Sequence, residues 1–582
     1  MDLTPQSQIV EIGANQFIAV GVSPADDRPQ PVAQNSSDAP QLISELGCAN
    51  CHSDLNLPAA HNDHIPDLSR AGLRYNPAYL FDFLQAPVKI RRHIGAARMP
   101  DFHFSEAEAL ALSRYLETRR QLPEKISQLP SEIRSADTPG EVADAEKTAA
   151  LIRGEKICLT CHTLSGEGGV LAVDLATVSY RLRPEWVRQY LANPALYDVP
   201  AAVMPAQFYQ AANNGETLAE MTPNAANQIL EITDYLFSLN SDKGQQLSAR
   251  YQDALTKYPR ATADVGEKVY RSQQCFACHR DAEFPSGGVA AAPDLGSEGI
   301  RVLENWLRNY LKAPVALRPF GSHPGNGARM PDFRLSGAEA DMLTTFLMQQ
   351  RENQSLLSAT FQKKTPTAFS AKKTQALLSD KLSCLGCHLL GEFGGKIGPD
   401  LSNTGGRLQP AYVYSIIKNP RAIAPHSIMP DMFLSDETAE VLANFLLHQK
   451  TEKAAAPYLS LIENNLILPE KHAADSGDAA VKSMYQTHCA ACHGSDGQAD
   501  GYNAKYLPVV PTRHADSEYM KNRPDDTLYD GIHAGGYILN KSHFMPAWGG
   551  MLSDADIRKL VAFMRTLCNC REPAWSRDNR KN

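Results

Sequence analysis

Several features are scarce in this 582-residue chain, and each scarcity closes off a class of protein. No apolar run reaches the roughly 18 residues that span a bilayer, so no transmembrane segment is expected. Basic residues do not dominate: 57 Lys and Arg stand against 65 Asp and Glu, a formal net charge of −8. The basic stripe that nucleic-acid binding requires is therefore missing. The start, Met1-Asp2-Leu3, lacks the basic region and apolar stretch of a secretory signal. Only two of the 12 cysteines, Cys568 and Cys570, fall outside a repeated motif, so a disulfide framework does not explain their number. What remains is ordinary for globular protein, 43% hydrophobic and 21% charged. The length exceeds what one core can serve.

The repeated motif is Cys-x-x-Cys-His, present five times: Cys48, Cys51 and His52; Cys158, Cys161 and His162; Cys275, Cys278 and His279; Cys384, Cys387 and His388; Cys489, Cys492 and His493. Two thiols at this spacing form thioether bonds to haem vinyl groups, and the adjoining His ligates the iron, the c-type attachment signature. One copy fits a redox pair; five, each opening a segment of about 100 residues, one domain's worth, do not. Structural zinc also uses paired thiolates. Each segment, however, supplies a Met-Pro some way after its His: Met99, Met204, Met330, Met429 and Met545, each followed by Pro. A thioether is a poor zinc ligand but a good sixth ligand to haem iron. Five haem c groups with His/Met axial ligation are expected.

These surroundings resemble class I cytochrome c domains from about residue 40 to 570. The resemblance implies an all-α fold, a tandem array of five small domains with one covalently bound haem each. In that fold a helix leads into the haem motif, a proximal loop fixes the axial His through a Pro carbonyl, and a Met loop precedes a closing helix. Pro66-Asp67-Leu68, Pro293-Asp294-Leu295 and Pro399-Asp400-Leu401 look like the proximal loop. Tyr115, Tyr235, Phe346, Phe445 and Phe563 look like the aromatic of the closing helix, which packs on the first helix. The second segment has Val173-Asp174-Leu175 instead, and the fifth has Leu507-Pro508 and Pro511 in a longer loop. The fifth is more similar to cytochrome domains of oxidases and dehydrogenases.

The first four segments have an internal order. The first and third share Ala-Pro-Val (86–88 and 313–315) and Ala-Arg-Met-Pro-Asp-Phe (97–102 and 328–333). The second and fourth share Cys-Leu-x-Cys-His, a Gly-Glu-x-Gly (166–169 and 391–394) and Asn-Pro (193–194 and 419–420). The offsets are 275 − 48 = 227 and 384 − 158 = 226. A two-haem unit was duplicated in tandem and a fifth domain appended. Electron transfer falls steeply with distance, so a fixed inter-haem geometry is the expected object of the duplication.

Polar, Pro- and Gly-bearing linkers divide the chain. The expected layout is an N-terminal arm (1–38), domains at 39–122, 146–241, 262–352, 373–450 and 474–570, and a tail (571–582). Phe17 to Val22 reads as one short strand. Cys568 and Cys570 read as inert or mutually oxidised thiols, with a metal or redox-active pair as the sharper alternative. His93, His323, His426 and His543 lie near the methionines and are candidate replacement ligands.

The function that follows is electron transfer between a redox donor and an acceptor: a dehydrogenase, a quinol-oxidising complex or a terminal oxidase or reductase. Closed six-coordinate iron makes the chain a carrier rather than a catalyst. The alternatives are a peroxidase-like enzyme with one open haem, in the second or fifth segment, and a subunit docked permanently on a dehydrogenase or oxidase. Because haem joins this motif outside the cytoplasm in cytochromes c, a periplasmic or cell-surface location is expected, with this chain as the mature form or lacking its true start.

Overall fold

The computed structural model describes residues 7–13, 16–21, 39–51, 65–90, 98–124, 126–134, 140, 142–197, 204–205, 207–208, 221–279, 283, 292–293, 295–321, 329–425, 427–451, 458–463 and 476–576. Helices predominate, and the strands among these residues are short. The described residues form two compact units that divide near residue 290.

The first unit begins with a hairpin, β1 (Ser7–Gly13) against β2 (Gln16–Gly21). The expected strand is therefore one half of a pair. Its helices are α1 (Ala39–Leu46), α2 (Pro77–Gln85), α3 (Glu106–Thr118), α4 (Ala145–Ala150), α5 (Pro184–Ala192), α6 (Ala225–Ser238), α7 (Ser241–Lys257) and α8 (Ala263–Ser272). Local chemistry starts them. Asn76 caps α2, with Pro77 at its first position, where a missing N–H costs nothing. Ser105 and Glu108 form a reciprocal capping box on α3. The second segment has its own core, where Ile152, Leu164, Trp186, Ile229 and Ile232 pack together.

The second unit contains α9 (Glu304–Lys312), α10 (Gly337–Met348), α11 (Ala368–Asp380), α12 (Pro410–Lys418), α13 (Asp436–Leu447), α14 (Ser476–His488), α15 (Asp525–His533) and α16 (Asp554–Cys568). Here α11 packs on α13, and α14 packs on α16. Tyr485 meets Phe563 with ring centroids 5.2 Å apart. Cys568 and Cys570 are joined as a disulfide just beyond α16.

The third segment departs from the expected layout. Its leading helix α8 belongs to the first unit and packs along α3, the closing helix of the first segment. The fit is close: a side chain at Gly266 would meet the Ala111 carbonyl at 1.9 Å. Tyr270 lies against Tyr115 at 5.2 Å, and Arg114 donates to the Ala261 carbonyl at 2.9 Å. The stretch expected as 262–352 is thus shared between units. The physical reason is that α3 presents a groove of Ala and aromatic residues that a glycine-bearing helix fills.

Both units contain the same seam between consecutive segments. In the first, Tyr75 bridges to Leu182, Asn76 N donates to Arg181 O (3.0 Å) and Arg183 N donates to Arg74 O (3.0 Å). In the second, Val302 bridges to Leu408, Leu303 N donates to Arg407 O (2.9 Å) and Gln409 N donates to Arg301 O (3.0 Å). The offsets, 302 − 75 = 227 and 408 − 182 = 226, are those of the motifs. Small hairpins repeat likewise: β3 (Thr163–Leu164) with β4 (Glu167–Gly168), and β5 (Leu389–Leu390) with β6 (Phe393–Gly394). Their register pairs Gly168 with Gly394, one residue away from the Gly169 that sequence alignment selected.

Candidate functional site

Each attachment motif begins where its leading helix ends. Gly47, Ile157 and Gln274 adopt left-handed backbone conformations just before Cys48, Cys158 and Cys275, turning the chain into a single helical turn that carries the two cysteines. Gly47 also has a steric role, since a Cβ there would lie 3.4 Å from Cys278 Sγ. All ten motif cysteines are half-buried and free of disulfides. Burial pushes their thiols up, to about 12 at Cys48, Cys51, Cys275, Cys387 and Cys489 and to about 11 at Cys158 and Cys384. Their spacing within one helical turn is that of the c-type haem attachment signature.

The histidines carry the clearest geometry. His162 Nδ1 donates to Val173 O (2.7 Å), His388 to Pro399 O (2.8 Å), His493 to Thr512 O (2.7 Å) and His279 to Pro66 O (3.0 Å). A carbonyl can only accept, so Nδ1 bears the proton and Nε2 keeps its lone pair for a metal. Burial holds all four imidazoles below the usual range, the carbonyl bond partly offsetting it. His52 lies outside the described residues.

Sequence reasoning located only part of this support. Val173 does what Pro399 does, because the acceptor is a backbone carbonyl and any residue supplies one. Thr512, in the fifth segment's longer loop, went unnoticed; the only signal was Pro511 before it. Asp67, Asp174 and Asp400 follow the supporting residue, and each accepts from the N–H two positions on, shaping the same turn three times. The partner of His279 was expected to be Pro293 and is Pro66.

The five methionines are all half-buried. Met99, Met330 and Met429 each stand six residues before the Ser that caps the next helix, as 105 − 99, 336 − 330 and 435 − 429 show. The Met330 amide is held by the Tyr458 hydroxyl (3.2 Å), and the Met429 amide by Ser427 (3.1 Å). Met545 borders the fifth segment's core. Among the candidate replacements, His543 is committed elsewhere, its Nε2 bonding Ser379 O at 2.8 Å. His93, His323 and His426 lie outside the described residues.

Haem brings two carboxylates, and buried cationic groups await such partners. In the first unit Arg70 Nε and Arg181 Nε are buried with no hydrogen-bond partner among the described residues, an arrangement that is costly if left unmet. In the second unit Arg318 and Arg407 are half-buried and close together. Desolvation lowers both, followed by repulsion from Arg301 at Arg318 and from Arg318 at Arg407, which falls to about 10. They stand near His388. The residues fit the group.

Two pairs of motifs abut. Asn50 Nδ2 lies 3.7 Å from Cys278 Sγ in the first unit. In the second, fully buried Asn503 donates to Gly386 O (2.9 Å) and Cys492 Sγ (3.4 Å), and accepts from Lys396 N (2.8 Å). One side chain therefore ties the fourth motif to the fifth.

Known proteins agree with this chemistry. Residues 36–120 match the family model "Cytochrome c", and residues 477–564 match "Cytochrome C oxidase, cbb3-type, subunit III". Two segments of the chain thus match cytochrome c family models, and covalently bound haem c goes with such domains. Over 194 residues it is 29% identical to the cbb3-type cytochrome c oxidase subunit FixPc of Rhizobium leguminosarum bv. viciae, covering 32% of this chain and 58% of the relative's length. A Kuenenia stuttgartiensis reducing HAO-like protein complex matches 35% of this chain and 99% of its own at 16% identity, with a TM-score of 0.14 that carries no structural argument.

Proposed function

We propose that this chain conducts electrons between redox proteins through five covalent haems, each held by a cysteine pair and a His, with a Met closing the other face. The observation that carries this reading is the repeated bond from His Nδ1 to a backbone carbonyl, which presents Nε2 to a metal at four described motifs. When bound, haem supplies a one-electron redox change. The chain's residues seat it: thiols anchor, His orients, Met closes the iron to substrate, and buried Arg groups receive the carboxylates. His/Met ligation raises the potential, which suits the oxidising end of a respiratory chain. The resemblance of residues 477–564 to an oxidase subunit supports an oxidase-linked acceptor, with a dehydrogenase or quinol-oxidising complex as donor. Location in the periplasm or at the cell surface goes with covalent haem attachment. No helix among the described residues is long and apolar enough to cross a membrane.

The peroxidase reading rested on missing proximal support in the second and fifth segments. Val173 O and Thr512 O supply that support, so those departures no longer single out either segment; an open haem would require loss of its Met. Intact mass of exported protein should exceed the 63.7 kDa polypeptide by five haems, and the ferrous protein should bind carbon monoxide at none of them. Four haems, or ready carbon monoxide binding, would sink the proposal.

A further inference from the structure

We propose that the first and third segments exchange partners, so that the haem joined to Cys275 and Cys278 is closed by His279 on one side and Met99 on the other. Residue order alone pairs His279 with Met330, in the manner of the other segments. In the second, fourth and fifth segments the His finds its carbonyl 11, 11 and 19 residues downstream. His279 instead bonds Pro66, 213 residues upstream. Pro293, at 293 − 279 = 14 residues downstream, occupies the position that Pro66 holds relative to His52 (66 − 52 = 14). His279 has therefore taken the place of the first segment's histidine.

Independent packing agrees. The helix that leads into a motif packs on the closing helix of its site: α4 on α6, α11 on α13, α14 on α16. For the third motif that helix is α8, and its partner is α3. The contact buries Tyr115, Val269 and Tyr270 and seats Gly266 on the α3 backbone. Beyond the motif, Glu283 pairs with Arg119 at 2.6 Å, just past α3. Chain continuity then selects the methionine. Met99 is six residues from the Ser105 cap of α3 (105 − 99), so the loop that reaches the open face of this site carries Met99. Only the leading helix and motif are exchanged: downstream, Gly299 of the third segment still packs on its own closing helix, at Met348. The near-identity of the two segments, Ala-Arg-Met-Pro-Asp-Phe in both, makes either pocket chemically acceptable to either motif.

The inference rests on the His/Met reading above, and one set of full-length variants separates the two. In the parent, Met99→Ala should create one haem that binds carbon monoxide, about a fifth of the total; no such haem would refute Met99 as a ligand altogether. In a four-haem background carrying Cys48→Ala and Cys51→Ala, Met99→Ala should still open one haem and remove about a quarter of the far-red Met-to-iron band. A silent Met99→Ala in that background, with an open haem in the parent, would overturn the exchange while leaving His/Met ligation standing. A second measurement is independent of the haem count. A photo-crosslinking p-benzoylphenylalanine in place of Arg114, on α3, should capture the peptide containing α8. Capture of the α1 peptide instead would also overturn the exchange.

Discussion

Tyr75, Asn76 and Arg183 line the seam in the first unit; Val302, Leu303 and Gln409 stand in their places in the second. These three pairs differ, whereas Arg74 and Arg301, Arg181 and Arg407, and Leu182 and Leu408 are identical, and the reciprocal backbone bonds agree to within 0.1 Å, at 3.0 and 3.0 Å against 2.9 and 3.0 Å. Backbone pairing is indifferent to side-chain identity, so the docking of two segments can survive a duplication that lets the residues drift. Two side-chain features did persist. Arg181 lies over Tyr79 at 5.5 Å, and Arg407 over Trp306 at 5.9 Å. Gly72, Gly299 and Gly405 each press a short helical turn onto a closing helix. The second segment holds Ser179 at the equivalent place (405 − 226 = 179), which carries a side chain where the other three carry none.

The glycines offer the strongest way to break this likeness. A Cβ at Gly405 would lie 1.9 Å from the Leu447 carbonyl, and at Gly72 2.0 Å from the Glu117 carbonyl. Gly405→Val and Gly72→Val should each cost about 3 kcal/mol through forced displacement of a helix, read as a lower thermal midpoint of the haem-loaded protein. Ser179→Val should cost distinctly less; equal losses at all three positions would erase the distinction drawn between segments.

Next comes the joint between the fourth and fifth segments, which has no counterpart at the seams. Asn503→Ala removes three bonds from a fully buried position and should cost about 2 kcal/mol. Chemical denaturation of the full chain checks this, and a loss below about 0.5 kcal/mol would mean that the joint does not depend on this bridge.

A smaller effect is expected at the stacked arginines. Arg181→Met and Arg407→Met should each lose at least about 1 kcal/mol, the worth of a partly desolvated cation–π contact, to which the loss of a haem carboxylate partner adds. Similar losses in both would extend the equivalence of the seams to energetics. A loss at only one would show that the second copy retains the geometry without its energy.

The smallest change has the opposite sign. Val173 occupies the position of Pro399, so Val173→Pro should stabilise by about 0.5 kcal/mol through the unfolded chain without changing the haem spectrum. A spectral shift would show that the local backbone differs from that around Pro399.

The motifs were legible because they are local: two thiols and an imidazole within five residues need no tertiary structure to declare themselves. Closing helices were equally readable from the aromatic that each carries, Tyr115, Tyr235, Phe346, Phe445 and Phe563. The supporting carbonyls were harder to find. A Pro is visible in a sequence, but a carbonyl belongs to every residue, so Val173 and Thr512 had no distinguishing mark. Asn503 was invisible for a related reason: its significance lies in the two motifs it touches, 117 and 11 residues away.

By itself, then, the sequence determined the repeat, its 227- and 226-residue period and the groups able to hold haem, because these are matters of residue type and short-range spacing. Tertiary structure alone decided which pocket receives which motif. Pro66-Asp67-Leu68 and Pro293-Asp294-Leu295 present the same chemistry, and local preference is therefore nearly equal for both. The choice fell to long-range packing, where α8 against α3 brings Gly266 to Ala111 and Tyr270 to Tyr115.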